Sequence, residues 1–162
     1  MSTWIEMLPE DACAEGVAWA AEHTTPQEAW DACTSGSWML WAWWRAEPRS
    51  SPALTLAACA CARLWLGGIE CDVAELAIKA GEAWARSGGA AEHLKPLRIA
   101  AYEAAYEALA TTDDAIARAC YAASRAAMSA VSPKRAYMAA GHEAAAELIR
   151  KHRPTAPEIG ET

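Results

Sequence analysis

The chain has 162 residues and a formal net charge of −7 at pH 7, and hydrophobic residues make up 54% of it. This length suits one domain with its own core, and the hydrophobic share excludes a chain that is disordered along most of its length. The acidic balance makes direct nucleic-acid binding a poor fit, because such binding depends on cations that release counterions from phosphate.

Three helix start signals lie in the first 45 residues. Pro9, with two acids directly behind it, predicts an amphipathic helix of about four turns. Thr25 before Pro26 opens a second helix, since Thr is a preferred N-cap and Pro fits the first helical position. Ser37 is expected to cap a short third segment, 38–45, which holds four of the nine tryptophans.

The next helix has an unusual composition. Ser51 and Pro52 repeat the start signal, and the run 53–66 that follows contains a single charge, Arg63. A helix without a polar face is buried on all sides. We therefore predict that this run is the buried central helix of the fold.

The rest of the chain continues the helical pattern with short connections and no strand pattern. The sequence therefore predicts an all-α fold, a compact single-domain bundle of about seven helices. We assign this domain to residues 1–152. Residues 153–162 contain two prolines and a glycine, and we expect them to form a flexible C-terminal tail. The later helix starts are predicted at Cys71, beyond Pro96, at Thr112 and at Ser132-Pro133.

The six cysteines do not indicate disulfides. The N-terminal sequence lacks the charged region and apolar run of a signal peptide, so we expect a cytoplasmic chain whose thiols stay reduced. The longest apolar stretch, 53–62, is too short to span a bilayer, and we expect no membrane partner.

No group of residues has the spacing of a catalytic, metal or cofactor site. Cys59 and Cys61 are the closest thiols, but they point about 200° apart on a helix and so cannot share one ion. The four histidines have no nucleophile beside them, and the glycine pairs lack the spacing of a nucleotide loop. We therefore predict a protein that is not an enzyme and that holds no metal and no cofactor.

The tryptophans of segment 38–45 indicate a binding surface. Trp38, Trp41 and Trp44 follow i,i+3 spacing and are expected in the core. Trp43 points elsewhere and is expected to be partly exposed. An aromatic side chain with a charged rim is typical of a protein-binding patch. The predicted partner-binding patch consists of Trp41, Trp43, Trp44, Arg45, Glu47 and Arg49.

Several runs share a pattern rich in Trp and Ala, or in Ala and Tyr: 17–20 (VAWA), 29–33 (AWDAC), 37–41 (SWMLW), 56–63 (LAACACAR), 100–106 (AAYEAAY) and 120–123 (CYAA). In these runs the chain resembles the all-α immunity proteins of bacterial polymorphic-toxin systems, the fifth such family, which has relatives in phage genomes. Members usually carry an acidic residue directly before the Trp-x-x-Trp step, where this chain has Ser37. A serine cap there serves the same backbone role.

The resemblance implies a non-enzymatic inhibitor that binds and neutralises a toxin or a defence effector. It would act as an immunity protein, or as a phage-encoded counter-defence inhibitor of the anti-CRISPR type. The acidic balance favours a basic protein partner, such as a nuclease. We expect the chain to act as a monomer or a homodimer, without binding nucleic acid directly.

A second hypothesis is a small-molecule binding protein, such as a sponge for a nucleotide signal. Trp43 or Trp44 would stack on the base. The phosphate would be held by one of three arginines, Arg45, Arg49 or Arg63.

A third hypothesis is nucleic-acid mimicry by an acidic surface. A net charge of −7 over 162 residues is mild for this role, because a mimic needs dense and ordered negative charge. The acidic surface predicted from helical spacing consists of Asp11, Glu15, Glu22, Glu75 and Glu82.

Overall fold

The computed structural model describes residues 4–47, 51–88, 91–111, 113–130 and 132–158. All regular structure in these ranges is helical and no strand occurs there, which confirms the all-α prediction. No helix in the same ranges is both long and apolar enough to cross a membrane. Three 3₁₀ helices lie at Trp4–Met7, Ala91–Leu94 and Pro133–Ala139. The eight α-helices of these ranges are α1 Ala14–Ala20, α2 Pro26–Ala32, α3 Gly36–Ala46, α4 Pro52–Leu66, α5 Asp72–Ser87, α6 Lys95–Ala110, α7 Asp114–Ser129 and α8 Ala145–His152.

Local side-chain caps explain where α2 and α4 begin. The Thr25 hydroxyl accepts a hydrogen bond from the Glu28 backbone N–H (3.2 Å), and the Glu28 carboxylate accepts one from the Thr25 N–H (3.3 Å). This reciprocal pair is a capping box. At α4 the Ser51 hydroxyl accepts from the Leu54 N–H (3.3 Å). Both starts are as predicted.

Two predicted helix starts are wrong. The first helix does not begin at Pro9 and is only seven residues long, because Cys13 has an extended backbone (φ −69°, ψ 142°) and acts as the N-cap of α1. At α3 the cap is Ser35 and not Ser37. The Ser35 hydroxyl accepts a hydrogen bond from the Trp38 N–H (3.3 Å), so the helix starts earlier than expected.

The last predicted helix is interrupted. The region after Ser132 forms a 3₁₀ helix and then α8, with residues 140–144 between them. The break brings the Ala140 carbonyl and the Ala145 Cβ close to Gly36 at the start of α3. Thr112, the predicted cap of α7, lies outside the described residues. The next side chain, Asp113, accepts from the backbone N–H of the third helical residue (3.1 Å).

The centre of the core is shared between α4 and α7. Most α4 side chains between Leu54 and Ala62 are buried, and the alanine-rich α7 is buried along most of its length. The Ser129 hydroxyl donates a hydrogen bond to the Thr55 hydroxyl (3.0 Å), which joins the two helices inside the core. Burial is therefore not concentrated in α4 alone.

Residues 153–158, where we predict the start of a flexible tail, lie beside α2. The Gln27 side-chain amide donates to the Pro154 carbonyl (3.2 Å) and accepts from the Ala156 N–H (2.9 Å). Pro157 is buried. This segment thereby becomes part of the wall of the pocket described next.

Candidate binding pocket

A large apolar pocket lies among the N-terminal helices. Its volume is about 420 Å³, within the range of about 300–1,000 Å³ that is usual for small-molecule sites. Its walls come from the first 3₁₀ helix, residues 8–13, α1, α2, α3, Tyr137 of the third 3₁₀ helix and the segment 156–157. Five of the nine tryptophans line it: Trp4, Trp19, Trp30, Trp38 and Trp41.

Backbone contacts hold these tryptophans in place. The indole N–H of Trp4 donates to the His23 carbonyl (3.2 Å), and that of Trp30 donates to the Arg153 carbonyl (3.0 Å). The rings of Trp19 and Trp38 lie 5.8 Å apart between centroids and are inclined at 46°. With their N–H donors paired to the protein, Trp4 and Trp30 can offer mainly ring surface to a ligand.

The net negative charge of the chain comes entirely from the part that builds most of this pocket. Residues 1–44 contain seven of the 21 acidic residues and no lysine or arginine. The other 14 acidic residues are balanced by the 14 lysines and arginines, all of which lie beyond residue 44. The whole net charge of −7 therefore belongs to residues 1–44, which we call the acidic segment. This partition is visible in the sequence, although a search for motifs does not find it.

The pocket has little charge of its own. Asp11 is its single acidic lining residue, and its side chain is 58% exposed. No lysine or arginine of the described chain lines the pocket. The Asp11 carboxylate forms a long ion pair with Arg45 (3.7 Å), which lies outside the lining. The site is therefore an apolar, aromatic pocket in an acidic environment.

The predicted exposure of the α3 tryptophans is wrong. Trp43 is only 2% exposed, whereas Trp38, Trp41 and Trp44 are partly exposed. Trp43 faces inward because it shares one side of α3 with the buried Leu40, three residues earlier.

The other members of the predicted partner-binding patch fall into different surroundings. Trp41 lines the pocket, while Trp44 lies under the Arg45 guanidinium at 5.5 Å. Glu47 accepts a hydrogen bond from the Trp43 indole N–H (3.0 Å) and pairs with Arg153. Arg49 lies outside the described residues. The structure thus divides these side chains between the pocket, the core and the surface.

Two hydrogen bonds govern the ionisation of Glu47. Burial acts to raise its pKa, but hydrogen bonds from Arg153 and Trp43 outweigh that effect and lower the pKa below its ordinary value. Glu47 is therefore held as a carboxylate that fixes Trp43 and Arg153 in the core.

The predicted acidic surface is split in two. Glu15 and Glu22 are exposed on α1 and directly after it. Glu75 and Glu82 lie far along the chain on α5, where both contact Arg63 of α4. The Arg63 Nε lies 2.8 Å from the Glu82 carboxylate, and its Nη1 lies 3.1 Å from that of Glu75. These two glutamates are therefore neutralised within the chain.

The Arg63 pairs lower the pKa values of both glutamates. The hydrogen bond from Arg63 is the main cause that lowers the pKa of Glu82. For Glu75 the main cause is the hydrogen bond from Lys79, and Arg63 adds to it. A carboxyl with a lowered folded pKa stabilises the fold above its unfolded pKa of about 4.3, and this contribution is lost as the pH falls through the lower folded value.

A variant in which Arg63 is replaced by methionine should therefore lose less stability than the wild type as the pH falls. Between about pH 6 and about pH 3, the wild type should lose about 0.5–1 kcal/mol more unfolding free energy than Arg63→Met, since these pairs are partly exposed. Urea unfolding at several pH values measures this difference. Lys151→Met, which breaks an exposed pair with Glu147, is the control. Parallel curves for the wild type and Arg63→Met would contradict the interpretation.

The cysteines of the described ranges are mostly buried thiols. All six cysteines are free, and burial raises the pKa values of the Cys59 and Cys61 thiols to about 12. The thiols of Cys71 and Cys120 share a hydrogen bond (Sγ–Sγ 3.0 Å) and are not joined by a disulfide. No group of three or more His, Cys, Asp and Glu residues in these ranges is arranged to hold a metal ion. The buried thiols of Cys59 and Cys61 therefore act as small apolar side chains.

Comparison of the chain with family models, curated proteins and solved structures finds no match. The chemistry of the residues themselves therefore has to carry any functional inference.

Proposed function

We propose that this chain is a non-catalytic inhibitor that binds and blocks a basic effector protein, as the immunity proteins it resembles do. One observation carries the proposal. The acidic segment bears the whole net charge of −7, and it also provides nearly all the walls of an aromatic pocket. Charge and exposed aromatic surface thus occur in the same part of the molecule.

The physical role of the charge is to attract and orient the partner. A surface of one sign raises the association rate with a partner of the opposite sign and disfavours partners of the same sign. Glu15 and Glu22 are exposed and carry this charge on the outside of the acidic segment. Nucleases and other effectors that hold a phosphate backbone need basic surfaces, so they are the partner class that fits best.

The aromatic side chains would supply the binding energy. Tryptophans are enriched among the interface residues that cost most when truncated. Trp38 and Trp41 are partly exposed and line the pocket. In this proposal they contact apolar side chains of the effector, while the glutamates outside the pocket contact its cations.

The nucleotide-sponge hypothesis loses two of its proposed contacts, Trp43 and Arg63, whereas Trp44 stays partly exposed beside Arg45. Trp43 is buried, so it cannot stack on a base. Arg63 is held by Glu75 and Glu82, and no lysine or arginine of the described chain lines the pocket. A phosphate group would therefore enter an acidic environment without a cation to hold it. Mimicry of nucleic acid is weakened in the same way, since three of its five proposed acids, Asp11, Glu75 and Glu82, are already paired with arginines.

The experiment uses purified basic effector proteins, taken first from any that are encoded next to the gene for this chain. Isothermal titration calorimetry should give a one-to-one complex, and one equivalent of the chain should abolish the effector's activity. The double charge reversal Glu15→Lys with Glu22→Lys should weaken binding by about tenfold or more. The matched control is Glu103→Lys with Glu107→Lys, which changes two exposed glutamates of α6 and should leave the affinity unchanged.

Two results would overturn the proposal. One is the absence of a complex with any basic neighbour-encoded effector. The other is a complex that tolerates the reversal at Glu15 and Glu22 but is lost in the α6 control, because binding would then use another face.

A further inference from the structure

The pocket is larger than an anchor side chain of a partner would require. At about 420 Å³ it is in the size range of sites for free small molecules. Several separate segments line it, including Tyr137 and residues 156–157 from the other end of the chain. Such an enclosure suits a ligand that enters as a separate molecule.

The ring arrangement suits a positively charged ligand. The faces of tryptophan rings attract cations, and tryptophan is the strongest of the aromatic side chains in this respect. Trp19 and Trp38 form an inclined pair of rings 5.8 Å apart, and three further tryptophans line the remaining walls. An ammonium group carrying methyl substituents can contact several ring faces at once without needing hydrogen-bond acceptors.

The charges around the pocket favour the same ligand. Asp11 is the one acidic lining residue, and no cation of the described chain lines the walls. All seven net negative charges of the chain lie in the acidic segment. A phosphate or carboxylate ligand would be repelled there, while a neutral ligand would gain nothing from the charge.

We propose that this pocket binds a free organic cation of the quaternary-ammonium class, with the ammonium group against the tryptophan rings and an apolar body along the remaining wall. This site shares the Trp38 ring with the surface proposed for the effector, but cation binding takes place without an effector and does not depend on it. Its recognition would rest on the ring faces of Trp19 and Trp38 and on the carboxylate of Asp11. A bound cation would also neutralise part of the charge of the acidic segment.

The test compares two ligands that differ in charge and hardly in shape. Acetylcholine carries a trimethylammonium group, and 3,3-dimethylbutyl acetate has a neutral tert-butyl group in its place. Calorimetry or tryptophan fluorescence measures the affinity of the full chain for each, without any effector present. We expect the cation to bind about fivefold to tenfold more tightly than the neutral ester.

Three variants separate the pocket from the rest of the fold. Asp11→Asn should lower the affinity for the cation by about threefold and leave the affinity for the neutral ester unchanged, because it removes a charge without changing the side-chain volume. Trp38→Leu should cause the largest loss of affinity for the cation. Trp44→Leu removes a partly exposed tryptophan of the same helix that does not line the pocket, and it should bind both ligands as the wild type does.

Equal or tighter binding of the neutral ester would overturn the proposal, since the pocket would then select only for apolar surface. Absence of binding by either ligand into the millimolar range would overturn it as well. A loss of cation affinity in Trp44→Leu, with Trp38→Leu unaffected, would place the ligand elsewhere. None of these outcomes bears on the complex with a basic effector, which is measured separately.

Discussion

Replacing Trp43 with alanine is expected to lower the free energy of unfolding by about 3–5 kcal/mol. The side chain is 2% exposed, its indole N–H donates to Glu47 (3.0 Å), and the Arg153 guanidinium lies 5.1 Å from its ring centroid. Alanine would leave a large cavity and would also remove the hydrogen bond that holds Glu47. Urea unfolding followed by circular dichroism measures the loss.

The neighbouring residue provides the control. Trp44 is partly exposed and contacts Arg45, so Trp44→Ala should cost less than half as much. Equal losses for the two variants would show that Trp43 is not the buried member of the pair. The sequence favoured the opposite assignment, which makes this comparison a direct check of the orientation of α3.

Replacing Gly36 with alanine is expected to destabilise the fold by about 1–3 kcal/mol. An added Cβ at Gly36 would lie 2.5 Å from the Ala145 Cβ and 3.0 Å from the Ala140 carbonyl oxygen. Neither neighbour is the end of a flexible side chain, so α3 and the start of α8 must move apart. The better helix propensity of alanine, about 1 kcal/mol at most, offsets only part of this cost.

A second glycine serves as the control for Gly36→Ala. A Cβ at Gly141 would meet only the Trp65 ring, at 3.7 Å, which is an ordinary contact. Gly141→Ala should therefore be neutral or slightly stabilising. Thermal and urea unfolding of both variants measure the difference, and a neutral Gly36→Ala would mean that α3 and α8 are not in close contact.

Local signals in the sequence predicted the parts of the fold that depend on local physics. Composition indicated an all-α chain, and the caps at Thr25 and Ser51 fixed the starts of α2 and α4 correctly. These features depend on hydrogen bonds within three residues, which the sequence specifies directly. The start at Pro9 failed because the helix-start signal does not reveal that Cys13 is extended.

The orientation of α3 could not be predicted from its own sequence. Apolar residues occupy every position from Trp38 to Trp44, so the spacing defines no single buried side. The orientation of α3 depends on its contacts with α8 and with the 3₁₀ helix Pro133–Ala139. Both elements lie about 100 residues later in the chain. Reasoning from the helix alone therefore selected the wrong tryptophan.

The pocket could not be predicted from the sequence, for a different reason. Its walls join Trp4, Trp19, Trp38 and Pro157, and no local spacing relates residues that are so far apart. The distribution of charge, by contrast, was available from the sequence. The absence of lysine and arginine before Arg45 marks the N-terminal part as the acidic side of the molecule.

Both proposals require that solvent-accessible tryptophans lie in an acidic environment. Quenching of tryptophan fluorescence by caesium and by iodide at low ionic strength tests this most directly, because the two ions differ in sign. Trp65 lies 5.6 Å from the Arg118 guanidinium, so Trp65→Phe should increase any preference for caesium. Trp19→Phe with Trp38→Phe should reduce it. We predict that caesium quenches the wild-type chain more than iodide does and that added salt removes the difference; equal or stronger quenching by iodide would contradict the account.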